Sequence, residues 1–542
     1  MIAHHRKDVM DMAFVSMSFI LFVAATVLVY FVVPKRFQWC VLLIASYIYF
    51  WINSHWLVLI LFAATAATFF TGQVIYAVNC AGKAYLKNNA GTMSAQERKA
   101  YKEKIKKKSK QVLQAGIVVV LGILLILKYF NFFAGNANSL LRYAGIEIPS
   151  ASFMLPLGIS FYTLQAIAYM VDIYRGKYEP DAHFGKFMLF MSYFPQIVQG
   201  PIARHNQLAY QLYAEHKFDY QRVLFGAQLI LWGWMKKLII ADRIATPANQ
   251  IFNNYTQYSG LMIFLGAAFY GLQVYADFSG GMDIARGISQ IFGIELELNF
   301  KQPYFSRSIE DFWRRWHITL GGWMRDYIFY PLSLSKTFGS LSKKTRKVLG
   351  QFIGKRLPSF LAMFIVYFLV GFWHGANWTY IAYGIWNGVF IVAGILLAEV
   401  YDKARKICKI EAESYSWKVF QMLRTFSLIS IGRIFSKASN LEASIGMLRQ
   451  MTEKWYDISF LVDGSLIRLG LDHANWILLI ISVVILLLVD GLHERGVHIR
   501  EGIARQHIVF RWIIYYAAIF SVLIFGMYGP GYDSASFIYA QF

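Results

Sequence analysis

Apolar residues occur along this chain in long uninterrupted runs. They do not follow the alternating pattern of strands or the every-third-or-fourth pattern of helices that cover a soluble core. A helix that crosses a bilayer needs about 20 mainly apolar residues. Runs near that length fall at 12–33, 37–52, 55–78, 111–134, 153–173, 184–200, 220–240, 258–278, 359–379, 380–400, 417–435, 474–490 and 508–528. They predict an all-α polytopic membrane protein with about 11–14 helical crossings. No internal repeat is visible, which speaks against a transporter built from inverted halves.

The stretch from Asp277 to Pro331 breaks this pattern. It reads DFSGGMDIARG and then SRSIEDFWRRWHITLGGWMRDYIFYPL. Phe312, Trp313, Trp316 and Trp323 interleave with Glu310, Asp311, Arg314, Arg315, Arg325 and Asp326. Such a segment cannot face lipid without a large polar cost. It is either an amphipathic helix at the membrane interface or an element buried in a bundle around a wet cavity. Asp277 and Asp283 flank a glycine pair, where capping or turn roles compete with function. The run PQIVQGPIARHNQ at 195–207 places Pro and Gly at a membrane exit, as a turn or a cavity wall.

Composition agrees with a membrane protein. Hydrophobic residues make up 57% and charged residues 15%, against about 25% charged in soluble proteins. Lysine and arginine number 53 against 31 acids, a net charge of +22. The basic residues gather at 79–110, 336–356, 401–418 and 493–511. By the positive-inside rule these face the cytoplasm and both termini lie outside. They read as orientation signals and contacts to anionic lipid, with no nucleic-acid partner. Cys40, Cys80 and Cys408 are far apart and form neither a metal motif nor a disulfide framework. Residues 1–11 read as a polar extension, 12–528 as a single transmembrane domain and 529–542 as an external tail.

Of twelve histidines, ten fall in tails, loops or the edges of apolar runs. The others are His317, in the aromatic–arginine segment, and His374, in FLVGFWHGANW. A helix starting near Ser359 would carry His374 about 22 Å along its axis. There it is either a packing histidine or a general base, since ionisable groups inside membranes commonly mark function. Gly371 and Gly375 flank it at the GxxxG spacing of closely packed helices.

FWRRWHITLGGWMRDYIFYPL and GFWHGANW resemble the two signature regions of the membrane-bound O-acyltransferases. FPQIVQGPIAR and YADFSGGMDIARG resemble that family's bacterial branch, above all the membrane subunits that O-acetylate alginate or peptidoglycan, with the D-alanyl transferase of teichoic acids as a cousin. The likeness runs from about Phe19 to the C-terminus and is weakest over 401–475. It implies re-entrant segments around a central tunnel or funnel, in a bacterial cytoplasmic membrane. It implies transfer of an acyl group, foremost acetyl, from a cytoplasmic thioester (acetyl-CoA or an acyl carrier protein) to O-acylate an extracellular polysaccharide. No bound cofactor or metal is implied; the expected partner is an extracytoplasmic SGNH-type acyltransferase. His374 maps onto the family's principal histidine and His317 onto its second. The same motifs offer Trp313, Arg315, Trp316, Arg325, Asp326, Trp373 and Asn377 as substrate contacts. D-alanyl transfer, or a non-catalytic transporter or scaffold for a secreted transferase, stand as alternatives.

The chain ends YGPGYDSASFIYAQF, in which Phe537, Tyr539 and Phe542 form an F-x-Y-x-x-F pattern. Aromatic anchoring beside the last span is one reading. The other is an acyl-carrying Tyr539, matching a C-terminal tyrosine motif that the teichoic acid system carries on a separate small protein. A thiol has a pKa of roughly 8.5 and a phenol roughly 10, so thioester to aryl ester to sugar ester runs downhill.

Overall fold

The structure, a computed structural model, describes residues 12–528 and Phe537. The extension 1–11 and the rest of the tail, Tyr539 and Phe542 included, lie outside the described residues.

The chain is helical almost throughout. Among the described residues one isolated antiparallel bridge, Phe300 with Trp316, is the sole strand-like pairing. Eight helical stretches are long and apolar enough to cross a membrane: Lys35–Asn88, Ala95–Ala144, Tyr220–Asn253, Gly260–Phe292, Ile353–His374, Trp378–Leu396, His473–Glu494 and Ile508–Phe525. The first holds two helices, Gln38–Ser54 and Val58–Asn88, parted at His55 where φ is 46°. On His473–Glu494 the side chains of Ile480, Ile481, Val484 and Leu488 are exposed. An exposed apolar face on so apolar a helix suits a lipid environment.

Two compact units divide the chain. The first comprises residues up to Gly226 together with Ile288–Leu296. In it Val58–Asn88, Ala95–Leu124 and Ile159–Tyr174 pack on one another. A capping box starts Ala95–Leu124: Ser94 accepts from the Glu97 N–H and Glu97 accepts from the Ser94 N–H. Of the basic stretch 79–110, Lys83 and Lys87 therefore close Val58–Asn88 and the remainder opens Ala95–Leu124. Ile159–Tyr174 is buried on nearly every side, as an inner helix must be when it is apolar all round. Residues 153–156 precede it without regular structure, so the run 153–173 yields a shorter helix than expected.

The run 184–200 is not a span. It folds as Phe184–Ser192 and Phe194–Ile197. Tyr193 leaves helical geometry (ψ 109°), and Pro195 opens the next turn. Nine helical residues reach only about 13.5 Å. Gly158 (φ +67°) packs on this turn so closely that a Cβ would stand 2.0 Å from the Ile197 carbonyl oxygen.

The second unit comprises Ala227–Gly287 and Glu297–Phe542. Here Asp277 and Asp283 lie inside the helix Gly260–Phe292, so the expected capping or turn roles do not hold. Each faces a lysine of the neighbouring segment Met235–Ala241. Lys237 Nζ is 2.8 Å from both Asp277 and Asp242. Lys236 Nζ is 2.6 Å from Asp283 and 2.9 Å from Ser279 Oγ. Gly233 and Gly280 allow the backbones this close: a Cβ on Gly233 would stand 2.6 Å from the Gly280 oxygen. Buried cations and carboxylates survive only when paired in this way.

The helix Lys336–His374 breaks at Gly350, where φ is 74°. Before the break is a basic arm; after it comes the segment that ends in His374. Thr345 Oγ1 donates to the Gly354 carbonyl at 2.6 Å, tying arm and rod together. The rod then forms a hairpin with Trp378–Leu396. A Cβ on Gly371 would lie 2.3 Å from the Tyr380 oxygen, and one on Gly384 would lie 2.2 Å from the Tyr367 oxygen. Gly371 thus serves close helix packing, whereas Gly375 lies past the helix end, against the Tyr380 ring.

Candidate active site

The segment after Glu297 neither crosses as one helix nor lies flat as one. It forms the short helices Ile309–Arg315 and Ile318–Met324. Phe312, Trp316, His317, Leu320, Trp323 and Met324 are all buried. The break between the helices is His317 itself, with φ +47° and ψ 52°. Left-handed backbone is uncommon for any residue but glycine, and it persists where surrounding structure holds it. Backbone pairing does so here. Phe300 bridges Trp316, Lys301 N–H donates to the Arg315 carbonyl at 2.9 Å, and Ile318 N–H donates to the Asn299 carbonyl at 3.1 Å.

The Asn299 side chain completes the turn. Its Oδ1 accepts from Thr319 N–H at 2.9 Å and Thr319 Oγ1 at 3.0 Å, and faces His317 Nδ1 at 3.3 Å. Phe278 packs against the imidazole with ring centres 4.9 Å apart. Trp373 packs on another side at 5.6 Å.

Trp373 also touches the second histidine. Its ring centre lies 5.0 Å from that of His374. His374 is the last residue of its helix, because Gly375 turns to extended backbone (φ −174°). The apolar run expected to reach 379 therefore ends five residues sooner, and His374 hangs at the helix end rather than inside the run. Tyr380 and Tyr383 of the hairpin's second helix flank its ring at 6.4 and 6.2 Å. His317 and His374 are 1% and 7% exposed. His317 lies outside the eight apolar spans. Burial, and then the charge of nearby His374, pushes its imidazole well below the usual histidine range, so it is neutral.

The other expected contact residues separate into groups. Trp313 donates from Nε1 to Asn387 Oδ1 at 3.2 Å and packs beside Tyr383, one ring away from His374. Trp316 is stacked on Phe312, with the Arg433 guanidinium 4.4 Å from its ring centre. Arg315 is held by Asp311 at 3.1 Å and Glu494 at 2.7 Å. Arg325 and Asp326 pair with each other at 3.2 Å, and Arg325 is mostly exposed. Asn377 caps Trp378–Leu396, its Oδ1 accepting from Thr379 N–H at 3.0 Å. Asn299, Phe278, Tyr380, Tyr383 and Asn387 join the site without having been singled out from the sequence. Nothing in ELELNF marks Asn299; only the fold carries it to His317.

A sequence profile described as the membrane-bound O-acyltransferase family matches residues 180–436, which include both histidines. Over 424 residues the chain is 30% identical to a probable alginate O-acetylase AlgI of Azotobacter vinelandii, covering 78% of this chain and 74% of that protein. The chain belongs to the membrane-bound O-acyltransferase family. This O-acyltransferase family member is also 34% identical over 340 residues to a probable alginate O-acetylase AlgI of Pseudomonas syringae pv. tomato, with 62% of this chain and 60% of the relative aligned. It is 30% identical over 362 residues to a peptidoglycan O-acetyltransferase of Helicobacter pylori, covering 62% and 63%. Family membership carries the reaction class, O-acyl transfer.

Proposed function

We propose that this protein moves an acyl group, foremost acetyl, from a cytoplasmic thioester across the membrane for O-acylation of an extracellular polysaccharide. The observation that carries the reading is the burial of His317 and His374 against one indole, Trp373. Two imidazoles away from water, among aromatic walls, suit proton transfer to and from a hydroxyl.

In this reading His374 is the general base. It takes the proton of an acceptor hydroxyl as the oxygen attacks the thioester carbonyl. The C–S bond breaks and the proton passes to the departing sulfur, so charge balances without a cofactor. His317 orients or relays. Trp313, Tyr380 and Tyr383 shape the space beside His374. The acceptor is Tyr539, whose aryl ester an extracytoplasmic SGNH-type partner then collects on a serine. Supporting this, Phe537 of the same tail is buried in the unit that holds the histidines. The donor is acetyl-CoA or an acyl carrier protein thioester, delivered at the basic side of the bacterial cytoplasmic membrane.

Purified protein given labelled acetyl-CoA or acetylated carrier protein tests the reading. Label should enter the protein from one donor and fail to enter His374→Ala. Absence of label from either donor with well-folded protein would overturn it.

A further inference from the structure

A neutral imidazole carries one N–H, on Nδ1 or on Nε2, and the surroundings of His317 decide between them. Facing Nδ1 at 3.3 Å is the side-chain oxygen of Asn299. The orientation of that amide is fixed by a group that can only donate. Thr319 N–H lies 2.9 Å from the same oxygen, and a backbone N–H has no acceptor capacity. The Asn299 nitrogen points instead at Met282 Sδ, 3.6 Å away, and a thioether can only accept. A flipped amide would set NH₂ against a buried N–H and sulfur against a carbonyl oxygen. The oxygen therefore faces His317, and Nδ1 must bear the hydrogen.

We infer that Asn299 is a positioning residue that locks His317 as the Nδ1–H tautomer, leaving the lone pair on Nε2. Its functional weight rests on the reading that His317 takes part in transfer. Asn299 also holds the left-handed turn, since its main-chain oxygen accepts from Ile318 N–H. One residue thus fixes both where the ring stands and which nitrogen it offers. With this lock Nε2 is the basic nitrogen of His317: as the hydroxyl oxygen, deprotonated by His374, bonds to the thioester carbon and the C–S bond breaks, Nε2 relays that proton on to the departing sulfur. The group behind the ring is a neutral carbonyl. It stabilises the imidazolium less than a carboxylate would, so the proton is readily given back. Among the described contacts, a titratable group facing His317 is His374, and the packed rings of Phe278 and Trp373 are uncharged.

The test is nitrogen NMR on ¹⁵N-histidine-labelled protein in detergent, with the His317 signals found by difference from His317→Gln. Wild type should show a protonated, pyrrole-type Nδ1 and a pyridine-type Nε2. Asn299→Ala should mix the tautomers and lower kcat by about 10- to 100-fold, the scale seen for partners behind metal-ligating histidines, with donor KM unchanged. Asn299→Asp keeps an oxygen acceptor and hence the tautomer. Its carboxylate should raise the basicity of His317 and move the acid limb of kcat/KM to higher pH. A pyridine-type Nδ1 in wild type, or an unaltered tautomer in folded Asn299→Ala, would overturn the lock. Wild-type transfer by His317→Gln would instead remove the catalytic reading and leave the lock to be judged by its spectrum.

Discussion

The ammonium of Lys237 stands 4.7 Å from the centre of the Phe537 ring. Lys237 is itself held between Asp242 and Asp277, and the residue after Asp277 is Phe278, whose ring lies on His317. Phe537 is thus held by a cation that pairs with the helix whose Phe278 packs on His317. Two residues of extended chain span at most about 7 Å, which bounds the distance from Phe537 to Tyr539.

Tyr539→Phe should keep this anchor and abolish acyl labelling of the C-terminal peptide. Protein incubated with labelled donor, digested and weighed by mass spectrometry reads the result directly. Equal onward transfer by Tyr539→Phe would mean that the acyl group passes straight to the partner.

Removing the anchor should act differently. Phe537→Ala should leave the fold intact and slow labelling of Tyr539, whereas Phe537→Trp, a better cation–π partner, should restore it. Unchanged labelling in Phe537→Ala would show that the contact plays no part in presenting the tail.

His374→Ala should lose about 10²- to 10⁴-fold in transfer, the usual cost of a general base, with helix content unchanged by circular dichroism. His317→Gln should retain part of the activity and bind donor normally. If both variants are equally inactive, the two imidazoles work as one unit and single losses will not add.

Lys237→Met should destabilise the protein by about 3–5 kcal/mol, because Asp277 would be left charged and buried. The double variant Lys237→Met with Asp277→Asn should recover most of that loss in a thermal melt. A melt equal to wild type for the single variant would place these carboxylates in contact with water.

What could be read from the sequence followed from what produces signal. Long apolar runs report the lipid-facing helices, so His473–Glu494 and Ile508–Phe525 fall where expected. The pattern misleads where a segment is apolar for burial rather than for lipid contact, as at 184–200, where Tyr193 and Pro195 cut a seeming span into two short helices. Polar residues inside spans were visible, but their partners were not. Asp277 and Asp283 looked like turn residues because Lys236 and Lys237, some 40 positions earlier, are brought to them only by the meeting of Gly233 with Gly280. The two histidines stood out by motif. Asn299 could not, because its value lies in an amide orientation that exists only after folding.

The break at Gly350 has a mechanical consequence. From Gly350 to His374 the chain is a rod of about 36 Å, with Pro358 in its early turns and a positively charged foot before the bend. A foot seated among anionic headgroups makes the rod a plumb line, and the imidazole at its tip hangs at a depth set by where the foot rests. Bilayer thickness then becomes a variable of the chemistry: a hydrocarbon core of about 30 Å matches the rod closely, while thicker or thinner membranes must tilt it or move its tip. Transfer rates measured in vesicles of graded acyl-chain length should pass through a maximum, and neutralising Lys343, Lys344 and Lys347 together should flatten it.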